Sequence, residues 1–383
     1  MMSRKVCVVT GSRAEYGLLY PILKEIKKYR ELSLQLVATT MHLSNEFGLT
    51  YRYIEKDGFK IDEKIDSLSQ LDLNTSMAKS SGMTTTLLAD CFERLNPDIV
   101  LLLGDRFETH AAATTALLMN IPIAHIHGGE VTQGAVDEQL RHAITKMSYL
   151  HFCSTEVYQQ RVMQMGEDPS KVFNVGAPGV DNIVSIDLLT RDDLSKQLGW
   201  NLPQKFALFT YHPTTLADSD LKRDLDSIFD TLLKSDIGVL FTYANADFGG
   251  KIINNRIEDF CKLNINKYKV VKSLGQLRYL STMKHANLLI GNTSSGIIEA
   301  ASFYKPVVNI GSRQSGRIKG VNIIDCEIKE LYKSIRVALS NDFITKCQKQ
   351  QNIYGNGNAS KKIVKELINQ PLSIVKFFID IEL

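Results

Sequence analysis

No stretch of the chain approaches the ~18 consecutive apolar residues that a membrane span requires. The amino terminus offers only Val6–Val9 before Thr10 and Gly11, too short for a signal-peptide core. The six cysteines (Cys7, Cys91, Cys153, Cys261, Cys326 and Cys347) are scattered, with no C-x-x-C pair, so neither a zinc ribbon nor a redox dithiol is indicated. Each reads as a small buried apolar residue in a reducing compartment. Charge of one sign is also lacking: 45 Lys and Arg against 42 Asp and Glu leave only +3, which argues against a broad polycationic nucleic-acid surface. Fixed-period repeats, low-complexity runs and heptads are missing too. A cytoplasmic protein with neither a nucleic-acid nor a membrane partner is the expectation.

What is there is a regular alternation. With 383 residues, 44% of them hydrophobic, the chain can fill two domain cores. Short apolar runs at Val6–Thr10, Leu34–Thr39, Ile99–Leu103, Ile123–Ile126, Leu150–Cys153 and Val172–Val175 read as strands. Amphipathic stretches such as Leu18–Lys28, Thr84–Leu95, Glu108–Met119, Asp137–Met147 and Glu156–Met165 separate them. Turn formers cluster at Gly176-Ala177-Pro178-Gly179. The pattern then restarts at Phe206–Thr210, Val239–Thr242, Lys269–Val271, Leu288–Ile290, Val307–Ile310 and Val321–Ile324. Strands alternating with helices predict right-handed βαβ units on parallel sheets. The expected fold is α/β, two Rossmann-like domains facing across a cleft. One covers 1–177, joined by the C-terminal helix and tail at 365–383; the other covers 178–364.

In open α/β sheets ligands bind beyond the carboxyl ends of the strands, so the motifs there were weighed for chemistry. Ser12 and Glu15, after the first strand, have capping-box spacing, and Arg13 adds a bidentate donor. This turn is either an anion site or an ordinary capped βα turn, with even weight on each. It is not G-x-G-x-x-G, which weakens a nicotinamide reading. Asp105 and Arg106 follow a strongly apolar strand as a cleft constellation or a local ion pair. His125 alternates with apolar residues and fits a core position, while His127 and Glu130 flank two glycines. Asp137 and Arg141 are spaced as an i,i+4 helix pair, which is the bland explanation of both. Asp105, Glu130, Asp137 and Glu138 nonetheless all fall at sheet-top positions, which suits proton transfer better than metal binding.

In the second block His212, held extended before Pro213, is either a cleft residue or a solvated loop histidine. Thr293, Ser294 and Ser295 precede a helix as a second anion cradle. Glu299 suits the paired hydroxyls of a ribose. Arg313 and Arg317 lie on a glycine loop. Carboxylates in one block and a diphosphate-and-ribose cradle in the other predict an enzyme acting on a nucleotide-linked substrate.

In order along the chain stand G-S-R-A-E-Y-G (11–17), G-D-R-F-E (104–108), H-I-H-G-G-E (125–130), D-E-x-x-R-H-A-I-T-K-M (137–147), H-P-x-T (212–215), G-N-T-S-S-G-x-x-E (291–299) and N-I-G-x-R-Q-x-G-R (309–317). With these seven motifs the chain resembles the hydrolysing UDP-N-acetylglucosamine 2-epimerases of sialic acid biosynthesis. The resemblance implies a glycosyltransferase-B type fold, a homodimer or homotetramer, UDP and N-acetylmannosamine as products, and no required cofactor or metal. It implies Asp105, Glu130 and Asp137 as the acid/base set, with His212 near the diphosphate. For the UDP-sugar substrate and the UDP product it implies contacts from Arg13, Arg106, His212, Asn245, Thr293, Ser294, Ser295, Glu299 and Arg313. Non-hydrolysing relatives carry an acid within H-V-E-A-G where this chain reads His127-Gly128-Gly129. Here the acid is displaced to Glu130, as in the hydrolysing branch.

The implied reaction removes the C2 proton as the C1–O bond to UDP breaks, passes through 2-acetamidoglucal, and rehydrates with C2 inverted. A close variant acts on UDP-N,N'-diacetylbacillosamine for legionaminic acid. The segment from Met41-His42-Leu43-Ser44 to Asp57-Gly58-Phe59 resembles that subgroup as much as the sialic acid one. A glycosyltransferase on the same fold would need an acceptor and leaves the carboxylates unexplained. A silent UDP-sugar binding protein would bind UDP without releasing it from the sugar.

Overall fold

The computed structural model describes residues 3–69, 75–132, 136–213, 221–244 and 250–380. The chain forms two compact units: Met1–Glu130 with Val136–Asn182 and Tyr354–Leu383, and Ile183–Ile353 with the short Val131–Ala135.

The first unit is built on a parallel sheet of β1 (Arg4–Thr10), β2 (Leu32–Thr39), β3 (Glu63–Ile65), β4 (Ile99–Leu103), β5 (Ile123–Ile126), β6 (Leu150–Cys153) and β7 (Val172–Asn174). Its order is β3-β2-β1-β4-β5-β6-β7, so the connections reverse direction between β1 and β4. These strands are apolar on both faces because helices cover both. Val6, Val8, Leu101 and Leu103 pack on Leu19, Ile22 and Leu23 of helix Arg13–Ile26. Cys7, Val9, Val100 and Leu102 face Ala112, Ala113 and Ala116 of helix Phe107–Leu118.

The last helix, Ala359–Asn369, completes the first of these cores with Ile363, Val364 and Leu367, all fully buried. Burial of each such side chain contributes about 1.5–3 kcal/mol. Asp181 fixes the start of this helix, accepting from the backbone N–H groups of Ala359 (2.9 Å) and Ser360 (2.6 Å). At its other end Arg4 of β1 donates to the carbonyls of Leu367 and Gln370. The tail beyond is strapped down at Glu167, whose carboxylate meets Lys376 (2.6 Å), Lys146 (2.7 Å) and His151 (2.9 Å).

The second unit has a parallel sheet of β8 (Phe206–Thr210), β9 (Gly238–Thr242), β10 (Tyr268–Val271), β11 (Leu288–Gly291), β12 (Val307–Ile310) and β13 (Ile323–Cys326), ordered β10-β9-β8-β11-β12-β13. Its reversal falls between β8 and β11. An aromatic cluster fills the core around Phe241, with the Phe229 and Phe260 rings stacked at 4.5 Å.

Three segments differ from the expected pattern. Strand β3 has no apolar run to announce it. Strand β13 lies at Ile323–Cys326 rather than Val321–Ile324. The helix expected from Thr84 begins at Ser76, and the hydroxyls of Thr84, Thr85 and Thr86 inside it turn back onto carbonyls four residues earlier. The chain leaves the first unit after Asn182, inside helix Pro178–Ser185, and returns at Tyr354, whose carbonyl accepts from the Ala177 N–H at 2.7 Å. The boundaries expected at 177 and 364 therefore lie five residues early and about ten residues late.

All six cysteines are buried and unpaired with one another. Among the described residues no helix is long and apolar enough to cross a membrane, and no three His, Cys, Asp or Glu side chains converge as metal ligands.

Candidate active site

At the carboxyl end of β1 the capping box forms in both directions. Ser12 Oγ accepts from the Glu15 N–H (3.4 Å), and Glu15 Oε2 accepts from the Gly11 N–H (2.8 Å). The Gly11 N–H of this turn is thus satisfied internally. A Cβ at Gly11 would sit 2.4 Å from the Glu108 side chain, which would have to move aside. Desolvation, reinforced by Glu108, pushes the buried Glu15 carboxyl up to about 8. The Arg13 guanidinium lies 4.5 Å from the Tyr53 ring centre.

The Gly104-Asp105-Arg106 turn splits its charges outward rather than pairing them. Arg106 Nε donates to Glu108 Oε1 at 2.5 Å, and its Nη2 approaches Met41 Sδ. Asp105 pairs with Arg141, which is almost completely buried in helix Val136–Met147. Arg141 therefore bridges to the neighbouring loop; the expected Asp137–Arg141 pair is superseded. Asp137 lies within the field of both. Desolvation first, then the Asp105 charge, raise its pKa above the usual range. Glu138, its neighbour, meets His142 at 3.2 Å.

His125 is more than a core side chain. Fully buried, its Nε2 lies 2.7 Å from the Gly104 carbonyl and its Nδ1 3.2 Å from Thr145 Oγ1. A carbonyl only accepts, so Nε2 carries the proton, and the neutral ring leaves Nδ1 as an acceptor facing the Thr145 hydroxyl, which also reaches the Arg141 carbonyl at 3.0 Å. Burial depresses its pKa to about 3, keeping the ring neutral. His127 has a left-handed backbone (φ 68°), rare for a non-glycine residue. Its Nδ1 faces Glu130 Oε1 at 3.3 Å, and Glu130, 1% exposed, also accepts from Ser154 Oγ at 2.8 Å. The structure thus draws Asp105, Arg106, Asp137 and Arg141 together, and seats Glu130 beneath His127.

In the second unit the switch point brings β8 against β11. Gly291 approaches so closely (φ 137°) that a Cβ would stand 1.8 Å from the Thr210 carbonyl oxygen. Asn292, fully buried, then clasps His212: the His212 N–H donates to Asn292 Oδ1 and Asn292 Nδ2 donates to the His212 carbonyl, both at 2.8 Å. The Asn292 carbonyl accepts from Arg313 Nη1 (3.2 Å) and Gln314 Nε2 (2.9 Å). Thr293 caps helix Ser294–Ile298. Ser295 Oγ donates to Glu299, whose carboxyl is pushed up to about 7 by desolvation. Tyr279 lines a small cavity with Thr210, Gly291 and Thr293, and burial pushes its hydroxyl up to about 12. His212, Thr293, Ser294, Ser295, Glu299 and Arg313 accordingly share one sheet edge. Asn245 lies outside the described residues. Sequence reasoning missed Tyr279, which carries no motif signal of its own, saw Arg141 only as an i,i+4 partner for Asp137, and left Asn292 unassigned although it sits inside G-N-T-S-S-G.

Two open parallel α/β sheets, each with polar residues at its switch point, define a fold of the glycosyltransferase-B type. The family model for UDP-N-acetylglucosamine 2-epimerase matches residues 24–368, so the chain belongs to that family and is a UDP-sugar 2-epimerase. It is 42% identical to the hydrolysing GDP/UDP-N,N'-diacetylbacillosamine 2-epimerase of Campylobacter jejuni, over the full length of both chains. It is 37% identical to the hydrolysing UDP-N,N'-diacetylbacillosamine 2-epimerase of Legionella pneumophila, covering 97% of each. A UDP-N-acetylglucosamine 2-epimerase of Neisseria meningitidis serogroup B is 30% identical over the whole of both chains. Among solved structures, a Neisseria meningitidis UDP-GlcNAc 2-epimerase bound to UDP-GlcNAc superimposes with a TM-score of 0.81. That match covers 96% of this chain and 100% of the other at 19% identity.

Proposed function

We propose that this chain is a hydrolysing 2-epimerase that converts UDP-N,N'-diacetylbacillosamine and water into UDP and the free 2-epimerised sugar. The end-to-end identity with the Campylobacter and Legionella enzymes of that name carries the reading. The displaced acid at Glu130 accords with the hydrolysing branch. UDP-N-acetylglucosamine is the second substrate, supported by the more distant Neisseria relative.

In the first step a carboxylate takes the C2 proton, the C2–H electrons form the C1=C2 bond, and the C1–O bond breaks to release UDP. In the second, water adds its oxygen to C1 and a proton enters C2 from the opposite face. Asp105, anchored by Arg141, and Asp137 are the transfer pair. Asp137 is the member suited to deliver a proton, because burial and its neighbour's charge favour its neutral form. Glu130 acts through His127. The helix start at Thr293–Ser295 with His212 and Arg313 stabilises the diphosphate as its charge grows, and Arg13 and Arg106 add positive charge. Glu299 receives the ribose hydroxyls. The protein works by itself on its UDP-sugar, as a cytoplasmic homodimer or homotetramer needing neither cofactor nor metal.

The test is incubation in deuterated water with each UDP-sugar in turn, followed by proton NMR. The GDP-linked sugar is included because the Campylobacter enzyme's name covers both nucleotides. Free UDP with a C2-deuterated, C2-inverted sugar is the expected result. Intact substrates without acceptor would refute it, and preferred turnover of UDP-N-acetylglucosamine would move the assignment to the second substrate.

A further inference from the structure

Of the buried polar side chains that the proposed reaction leaves unused, Asn292 is the most connected. Its side chain forms a two-point clasp with both backbone groups of His212, and its main-chain carbonyl accepts from Arg313 and Gln314. The loops after β8, β11 and β12 therefore meet on one residue. At neutral pH an amide of this size donates and accepts at once across such a clasp, whereas an ionised carboxylate only accepts. We infer that Asn292 is the positioning residue that sets His212 and Arg313 at the spacing a nucleoside diphosphate requires, and that its neutrality keeps the site open to an anion. This rests on the diphosphate reading given above.

The physical logic is preorganisation. His212 stands on the loop just past β8, with its backbone restricted by Pro213, and Arg313 sits on a glycine-bearing loop, so both gain from being held in place before the ligand arrives. Fixing both from one buried point means that diphosphate binding does not have to order them. Replacing Asn292 by Asp keeps the shape and keeps the acceptor for the His212 N–H. It also turns the donor facing the His212 carbonyl into a second acceptor and adds a negative charge beside the anion. Protonation of that carboxyl restores a donor and removes the charge.

The experiment measures UDP affinity by calorimetry from pH 5.5 to 8.5 for wild type, Asn292→Asp and Asn292→Ala, with thermal unfolding of each. Expected for Asn292→Asp is a loss of roughly tenfold or more at pH 8 relative to wild type, the scale of a buried hydrogen bond set against an unpaired acceptor. That loss should narrow toward pH 5.5, where a desolvated carboxyl is protonated. Asn292→Ala should lose affinity by a ratio that does not vary with pH. A merely structural role would lower the unfolding temperature and leave the affinity ratio flat; that outcome overturns the inference. Should Asn292→Asp fail to fold, Gln314→Met removes one donor to the Asn292 carbonyl and should weaken UDP several-fold; unchanged affinity overturns the proposal equally. Wild type that binds no UDP would instead refute the diphosphate reading, and the positioning role with it.

Discussion

The His125 ring joins the Gly104 carbonyl, 2.7 Å away, to the Thr145 hydroxyl, and so ties the loop carrying Asp105 to the helix carrying Asp137. A neutral imidazole with one donor and one acceptor does this without burying charge.

Replacing it should therefore damage proton transfer more than nucleotide binding. His125→Phe is expected to lower kcat by roughly ten- to a hundredfold, the usual scale for misplacing an acid or base, with UDP affinity within a few-fold of wild type. His125→Gln, which keeps a donor for Gly104, should recover part of the loss. Calorimetry beside steady-state kinetics separates the two; a matching loss of UDP affinity would place His125 in the nucleotide site.

Asp105→Asn should abolish solvent deuterium incorporation at C2 while UDP still binds within a few-fold of wild type. Joint loss of turnover and binding would show that the Asp105–Arg141 pair serves the fold rather than the chemistry.

The Glu299 carboxyl, held near 7 by burial, must be ionised to accept two ribose hydroxyls. UDP affinity should thus weaken as pH falls below 7, at most tenfold per unit, and level off above it. Glu299→Gln should be weaker at high pH and lack this limb, so that the ratio of variant to wild-type affinity changes with pH. A constant ratio from pH 5.5 to 8.5 would remove Glu299 from the ribose site.

Glu15 governs stability with the opposite sign to a salt-bridged acid. Its folded value of about 8 exceeds the ordinary 4.5, so folding favours the protonated form. That contribution is whole below pH 4.5 and is lost as pH rises through 8. Across this window wild type should lose on the order of a few kcal/mol relative to Glu15→Gln, which keeps an acceptor for the Gly11 N–H. Denaturant titrations at pH 5 and 8.5 read the difference; parallel pH profiles would refute it.

Much of the scaffold was legible because buried parallel strands are written as uninterrupted apolar runs: Ile99–Leu103, Ile123–Ile126, Phe206–Thr210 and Val307–Ile310 begin and end as read. Glu63–Ile65 was not, since an edge strand of three residues with two charges has no periodicity to detect. Site residues on glycine turns were found because the turn chemistry is local. Their partners were not. Whether Arg141 serves Asp137 four residues away or Asp105 thirty-six away depends on which loop the sheet places beside the helix, and local spacing points to the wrong one. Asn292 and Tyr279 act across strands adjacent only in the folded sheet.

The return of the chain at Tyr354 bears on how the protein is made. Strand β1 of the first unit is made before any of the run 183–353, yet that unit's core lacks Ile363, Val364 and Leu367 until helix Ala359–Asn369 follows that run. Arg4 waits through the whole of synthesis for its carbonyl partners. The run from Ile183 to Ile353 is contiguous apart from its short 131–135 contribution, and it can condense while the earlier half stands incomplete on the ribosome. A premature stop just before Tyr354 would therefore spare the later-made unit and unravel the one made first.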